Sequence, residues 1–146
     1  MPIAPDDTVE SLWGRMSVIG AELLLDTMRA GFTDAMVQSG EVVYASPLST
    51  DELRLEWDQP AELLHRVVRV GDAWTTFRGE RFKVHEARVV EARHRPGSIE
   101  DLVVGTGDGG LELVVVQPAG KPRMAARDWA NGARPDGEVL GERADV

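Results

Sequence analysis

The residues of this chain whose types and spacing could do chemistry are cations, and the best placed lie in its C-terminal third. Lys121 and Arg123 follow the apolar run Leu111–Val116 across Pro118 and Gly120, so a rigid turn carries them and not a free tail. Fixed cations lose less entropy than mobile ones when they meet phosphate. Arg66 and Arg69 stand opposite the helical stripe Leu63, Leu64, Val67 and Val68. Arg78, Arg81, Lys83, Arg93 and Arg95 could extend this surface, with strand-edge protection as the competing use of such charges. Catalytic readings have less behind them. Covalent catalysis needs a nucleophile beside an oriented base, yet His65, His85 and His94 occur in no catalytic or metal-ligand spacing. The TGDGG run, 106–110, lacks the lysine-serine ending of a phosphate loop and leads into a strand pattern, so it reads as a hairpin turn. Asp6 and Asp7 suit helix capping, and Trp57, Trp74 and Trp129 suit core and rim packing better than base stacking.

The elements that must position these cations change character along the chain. Leu12, Trp13, Met16, Ile19, Leu23 and Leu24 recur at helical spacing, with Asp7 or Thr8 as cap and Gly31 as stop. Val42 to Ala45 reads as a short strand. Asp58-Gln59-Pro60 announces a second helix, aspartate as cap and proline in the first turn. From Ala73 the period shortens to two. Segments 73–77, 81–90, 102–105 and 111–116 read as strands, with Arg78-Gly79 and Asp108-Gly109 as hairpin signals and Arg95-Pro96-Gly97 as a loop. A short helix over 125–130, ended by Asn131-Gly132, follows. The expected fold class is α+β: a helical linker and arm over 1–58, a small β-barrel with a flanking helix over 59–132, and a flexible tail over 133–146.

Composition sets the outer bounds. The 146 residues suit one domain of roughly 100 to 200 residues. The absence of cysteine removes disulfides, thiolate metal sites and a thiol nucleophile. No apolar run approaches the roughly 18 residues of a membrane span, and the acidic start MPIAPDD is unlike a signal peptide, so a soluble cytoplasmic protein is expected. A net charge of −9 argues against nucleic acid as a sum, but its distribution is uneven. Residues 1–58 carry −8, residues 59–130 carry +1 and residues 131–146 carry −2, so the basic residues gather where the strands are.

Four segments carry a family resemblance. VQPAGKPRM (116–124), within the longer unit VGTGDGGLELVVVQPAGKPRM, resembles the most distinctive strand and turn of the C-terminal barrel of methionyl-tRNA formyltransferases. LLHRVVRV (63–70) resembles the helix of that barrel, and LRLEWDQPA (53–61) the acidic-tryptophan junction before it. PIAPDDTVESL (2–12) resembles the segment leaving the catalytic domain. Enzymes of this family join a Rossmann-like domain, which takes formyl from 10-formyltetrahydrofolate to the methionyl amine, to a barrel resembling the OB fold that grips initiator tRNA. The resemblance therefore implies tRNA contacts at Arg69 and Lys121, with Arg66 and Arg123 as secondary candidates.

The same resemblance bounds the activity. No counterpart of the family's catalytic asparagine, histidine and aspartate occurs in this sequence, so no cofactor is expected in this chain and formyl transfer is not expected from it alone. 10-Formyltetrahydrofolate belongs with a catalytic domain. Gly71-Asp72-Ala73-Trp74 stands where the family has a proline-rich turn, and the linker 31–38 lacks lysine. Expected partners are initiator tRNA, a separately encoded catalytic domain or a second copy, and no membrane. Two alternatives stay open: a repurposed barrel serving protein interaction or dimerisation, and the C-terminal part of a sugar or amine formyltransferase.

Overall fold

The computed structural model describes residues 1–32 and 35–142, in two compact units, Met1–Leu48 and Ser49–Val146. The first unit is built on one helix, α1 (Val9–Ala30). Thr8 caps it in a reciprocal box: its hydroxyl accepts from Ser11 N at 3.1 Å while Thr8 N donates to Ser11 Oγ at 3.0 Å. Gly31, at φ 76, ends it in a conformation that L side chains rarely adopt. No residue of α1 is buried. The strand expected over 42–45 is not formed; Val42, Val43 and Tyr44 are exposed and have no ladder partner among the described residues. A strand needs a neighbour to complete its ladder, and the described residues of this unit offer none.

The second unit begins earlier than position 59. A single 3-10 turn, Asp51–Leu53, leads into Leu55 and Trp57, both buried in the core. Leu55 N donates to the Trp74 carbonyl at 2.8 Å, and Trp57 Nε1 donates to the buried Thr75 hydroxyl at 3.1 Å. These contacts place residues 49–58 with the sheet and not with the arm. Helix α2 (Ala61–Val70) starts on Pro60, not on Asp58, and has no side-chain cap. Its first amide instead donates to the Asp108 carbonyl at 3.0 Å, so tertiary pairing replaces the expected aspartate. Ala61, Leu64 and Val68 are its buried face, while Leu63 is turned out.

Six antiparallel strands follow, β1 (Trp74–Phe77), β2 (Glu80–Val90), β3 (Ile99–Glu100), β4 (Val103–Gly105), β5 (Gly110–Pro118) and β6 (Met124–Ala125). They run in the order β1-β2-β5-β4-β3, with β6 on the C-terminal end of β5. Arg78 and Gly79, at φ 51 and 78, make the β1–β2 turn as the sequence predicts. Leu102 belongs to a turn instead of a strand: Asp101 and Leu102, at φ 47 and 68, form the left-handed pair between β3 and β4. TGDGG is a hairpin turn, with Thr106 Oγ1 donating to the Asp108 carbonyl at 2.7 Å. A Cβ at Gly107 would overlap the Asp58 carbonyl, which explains a glycine where no positive φ requires one.

Helix α3 (Ala126–Ala133) runs through Asn131-Gly132 and stops only at Arg134, which is left-handed at φ 50. Trp129 on α3 packs on Phe82 and Phe77, with ring centroids at 4.6 and 5.1 Å. The expected tail is ordered through Glu142; positions 143–146 lie outside the described residues. Gly137 N donates to Ile99 O, Ile99 N to Glu138 O and Leu140 N to Gly97 O, all at 2.8 to 3.0 Å. Gly141 N donates to Thr76 O at 2.9 Å, and the Thr76 hydroxyl to Glu142 O at 2.6 Å. One segment thus bonds to both edge strands, β3 and β1. Leu140, 2% exposed, is the apolar anchor that the polar composition of the segment hides.

Candidate functional site

The site is assembled where the C-terminal end of β5 meets the start of β2. Lys83 pairs in register with Gln117, and its ammonium reaches Asp72 Oδ1 at 2.7 Å, just past the end of α2. Phe82 and Val84 point into the core, so period two turns Lys83 and His85 to the other face. At His85 the pairing slips: Val84 faces Val116, Glu86 faces Val115 and Ala87 faces Leu113. His85 and Val114 are each left without a Cα partner by this bulge. Bulges re-aim side chains, and here the imidazole meets the next strand.

His85 Nε2 lies 3.0 Å from Gln117 Oε1, and Gln117 Nε2 donates to the Lys121 carbonyl at 2.9 Å. Because Gln117 Oε1 can only accept, neutral His85 carries its proton on Nε2. Lys121 N in turn donates to the Pro118 carbonyl at 3.1 Å. The turn that presents Lys121 is therefore held at both its amide and its carbonyl, while the side chain stands exposed. Burial holds the His85 pKa below the ordinary imidazole value; the Gln117 bond opposes this, and the Arg123 and Lys83 charges add to it. Asp72 is held below the usual carboxylate range, first by its bond to Lys83 and then by the Lys83 charge, with a contribution from Arg123. Arg123 thus faces the same small cluster as Lys83, His85 and Asp72.

Of the four predicted residues, Lys121, Arg123 and Arg66 are exposed and Arg69 is half-buried in the last turn of α2, three residues before Asp72. Among the described residues no ion pair involves Lys121, Arg123 or Arg66. The wider basic set does not form one surface. Lys83 is paired with Asp72, and Arg78 pairs with Glu138 while its guanidinium also caps the Ala133 carbonyl at 3.0 Å. Arg81 stacks on Trp74 at 4.5 Å, with Arg54 over the same ring at 5.4 Å. Arg93 and Arg95 lie toward the opposite end of β5, where Val90 faces Gly110. Sequence reasoning passed over His85 and Gln117 as site residues. For His85 the signal was the alternation in which Phe82 and Val84 are apolar and Lys83 and His85 polar; Gln117 is reached only through its register with Lys83 on the neighbouring strand.

Among the described residues no group of three or more His, Asp or Glu could hold a metal ion, and no helix is long and apolar enough to cross a membrane. What remains are two exposed cations on a pinned turn, Lys121 and Arg123, that no ion pair engages among the described residues, with Arg66 and Arg69 on α2.

The model of the family described as formyl transferase, C-terminal domain, matches residues 47–134. A methionyl-tRNA formyltransferase of Streptococcus gordonii is 37% identical over 146 aligned residues, covering 91% of this chain and 47% of that protein. Those of Roseiflexus castenholzii and Corynebacterium glutamicum are each 38% identical, covering 97% and 94% of this chain and 50% and 49% of those proteins. The chain spans about half the length of the curated relatives it matches. A crystal structure of a HypX variant from Aquifex aeolicus superposes with a TM-score of 0.70 at 17% identity, over 94% of this chain and 27% of that one, a likeness of fold.

Proposed function

The chain belongs to the formyl transferase C-terminal domain family, and from that membership we propose that it is the tRNA-binding part of a methionyl-tRNA formyltransferase-like protein. The observation that carries the reading is the pinned turn at Lys121, with its exposed ammonium and the neighbouring Arg123. Phosphate binding draws its affinity from counterion release, and cations that no carboxylate neutralises contribute most. Lys121 and Arg123 meet this condition and Lys83 does not; the family resemblance adds Arg69 and Arg66 to the contact set. Initiator tRNA is the ligand that the family supplies.

This part positions a substrate and performs no bond chemistry. Formyl transfer requires a catalytic domain that brings 10-formyltetrahydrofolate, acting in the cytoplasm on the tRNA held here. Binding through these cations is salt-dependent, because each phosphate contact releases counterions. The test is fluorescence anisotropy with initiator tRNA across a salt series. Lys121→Ala and Arg123→Ala each weaken binding and reduce the log–log salt slope by about 1. A chain that fails to bind initiator tRNA even at about 20 mM salt, below the range in which phosphate contacts weaken, overturns the proposal.

A further inference from the structure

Lys83 is a cation set beside the Lys121 turn and withheld from it. Its register partner is Gln117, whose side-chain amide holds the Lys121 carbonyl, and adjacent strands stand only about 5 Å apart. The ammonium is engaged by Asp72, Nζ to Oδ1 at 2.7 Å. The Lys83 side chain keeps 33% of its surface in water and that of Asp72 keeps 65%. An ion pair so exposed is weak and opens readily. The turn that carries Asp72 does not depend on it. Gly71 N donates to Val68 O at 3.1 Å and Val84 N to Ala73 O at 2.9 Å, so backbone bonds hold the chain on both sides of residue 72. Asp72 itself is left-handed, at φ 56, a conformation that a non-glycine residue adopts only at a cost.

A pair that stabilises little and sits on costly backbone calls for another use, and the charges around it point to one. Lys83 and Arg123 both act on the Asp72 carboxylate, and His85 adds to them when it is protonated. The carboxylate therefore occupies the place among these cations that a phosphate oxygen would take. We propose that Lys83 is a further phosphate-binding residue and that Asp72 is its internal competitor. An incoming phosphate displaces the carboxylate from the ammonium, and until it does so Asp72 keeps the phosphate contacts of this surface below their full strength. The ligand's identity rests on the tRNA-binding reading, while the phosphate chemistry at Lys83 is tested without RNA.

Asp72→Asn removes the charge and keeps the shape, and asparagine accepts a left-handed backbone as aspartate does. Anisotropy with initiator tRNA is expected to show roughly 3- to 10-fold tighter binding at low salt, with the log–log salt slope steeper by about 1, the mark of one added phosphate contact. In a Lys83→Ala background the same substitution leaves the slope unchanged. Glu86→Gln, which removes one negative charge elsewhere on β2, also leaves it unchanged and separates a local competitor from a general change in net charge. Inorganic tripolyphosphate, followed by NMR of the lysine ε-methylene groups, supplies the arm without RNA. It shifts Lys83 in Asp72→Asn and moves it little in the parent chain, whereas Lys121 responds in both. Thermal unfolding of each variant checks that the sheet unit is intact. If no chain binds tRNA but tripolyphosphate reaches Lys83 in Asp72→Asn, the RNA reading falls and the phosphate site stands. Unchanged affinity and slope in Asp72→Asn while the parent binds tRNA, a slope gain that persists without Lys83, or a Lys83 signal indifferent to tripolyphosphate in Asp72→Asn overturns the proposal.

Discussion

At the scale of single residues, Gln117 and Lys121 have separable parts in the proposed RNA contact. Lys121 supplies charge, whereas Gln117 holds the turn from which that charge projects. Gln117→Leu is expected to weaken tRNA binding while leaving the salt slope near its original value, because the number of phosphate contacts is unchanged. Lys121→Ala lowers both. Equal slope losses in the two variants would contradict the positioning role. His85 adds a dependence on pH. Its pKa in the fold is lowered by burial, so the unfolded chain, with an imidazole near 6.5, binds the proton first as pH falls. The stability His85 contributes is complete above about pH 6.5 and is lost as pH falls from there toward the folded-state value. Thermal unfolding of the parent chain and of His85→Gln, compared from about pH 8 to pH 5.5, is expected to show a difference confined to the acidic side.

At the scale of elements, the C-terminal segment carries more of the fold than its composition suggests. Leu140→Ala is expected to cost about 2–5 kcal/mol in denaturant unfolding, the usual range for truncating a buried leucine. Trp57 fluorescence reports the loss, because Gly97 and Gly141 bracket its indole. The β1–β2 and β4–β5 hairpins, both helices of the sheet unit and the long strands were legible beforehand, since Arg78-Gly79, Asp108-Gly109, the helical stripe of α2 and the alternation in β2 are local signals, whereas the β3–β4 turn at Asp101-Leu102 was not. Segment 135–142 was not. One buried leucine among Asp136, Gly137, Glu138 and Gly141 makes no periodic pattern, and its bonds go to strands tens of residues away. The cap of α2 was misjudged for the same reason, since the Asp108 carbonyl does the work expected of Asp58. The strand expected at 42–45 shows the reverse failure. β-Branched residues favour extended backbone, but pairing depends on a partner that local sequence does not reveal.

At the scale of the whole molecule, charge and packing divide together. The α1 unit is acidic and buries no helix residue, whereas the sheet unit holds the core and nearly all the cations. Limited proteolysis is expected to cut first within the exposed stretch 35–48 and to leave a resistant fragment beginning near Ser49. That fragment is expected to keep the cooperative thermal transition of the intact chain; loss of the transition on cleavage would show that the two units are one folding unit. The four candidate tRNA residues were legible as cations on a helix and a turn. Their separation from the other arginines was not, because it depends on pairs such as Arg78–Glu138 that span 60 positions.

The bridge from Gly141 and Glu142 to Thr76 has a consequence for how this protein is made. A ribosome emits β1 some 65 residues before the groups that satisfy its outer edge. Until those groups arrive, Thr76 of β1 and, once it is made, Ile99 of β3 lack the partners that residues 137–142 supply, and each can pair with a neighbouring chain. The sheet therefore stays open to misassembly until residues 137–142 have left the exit tunnel.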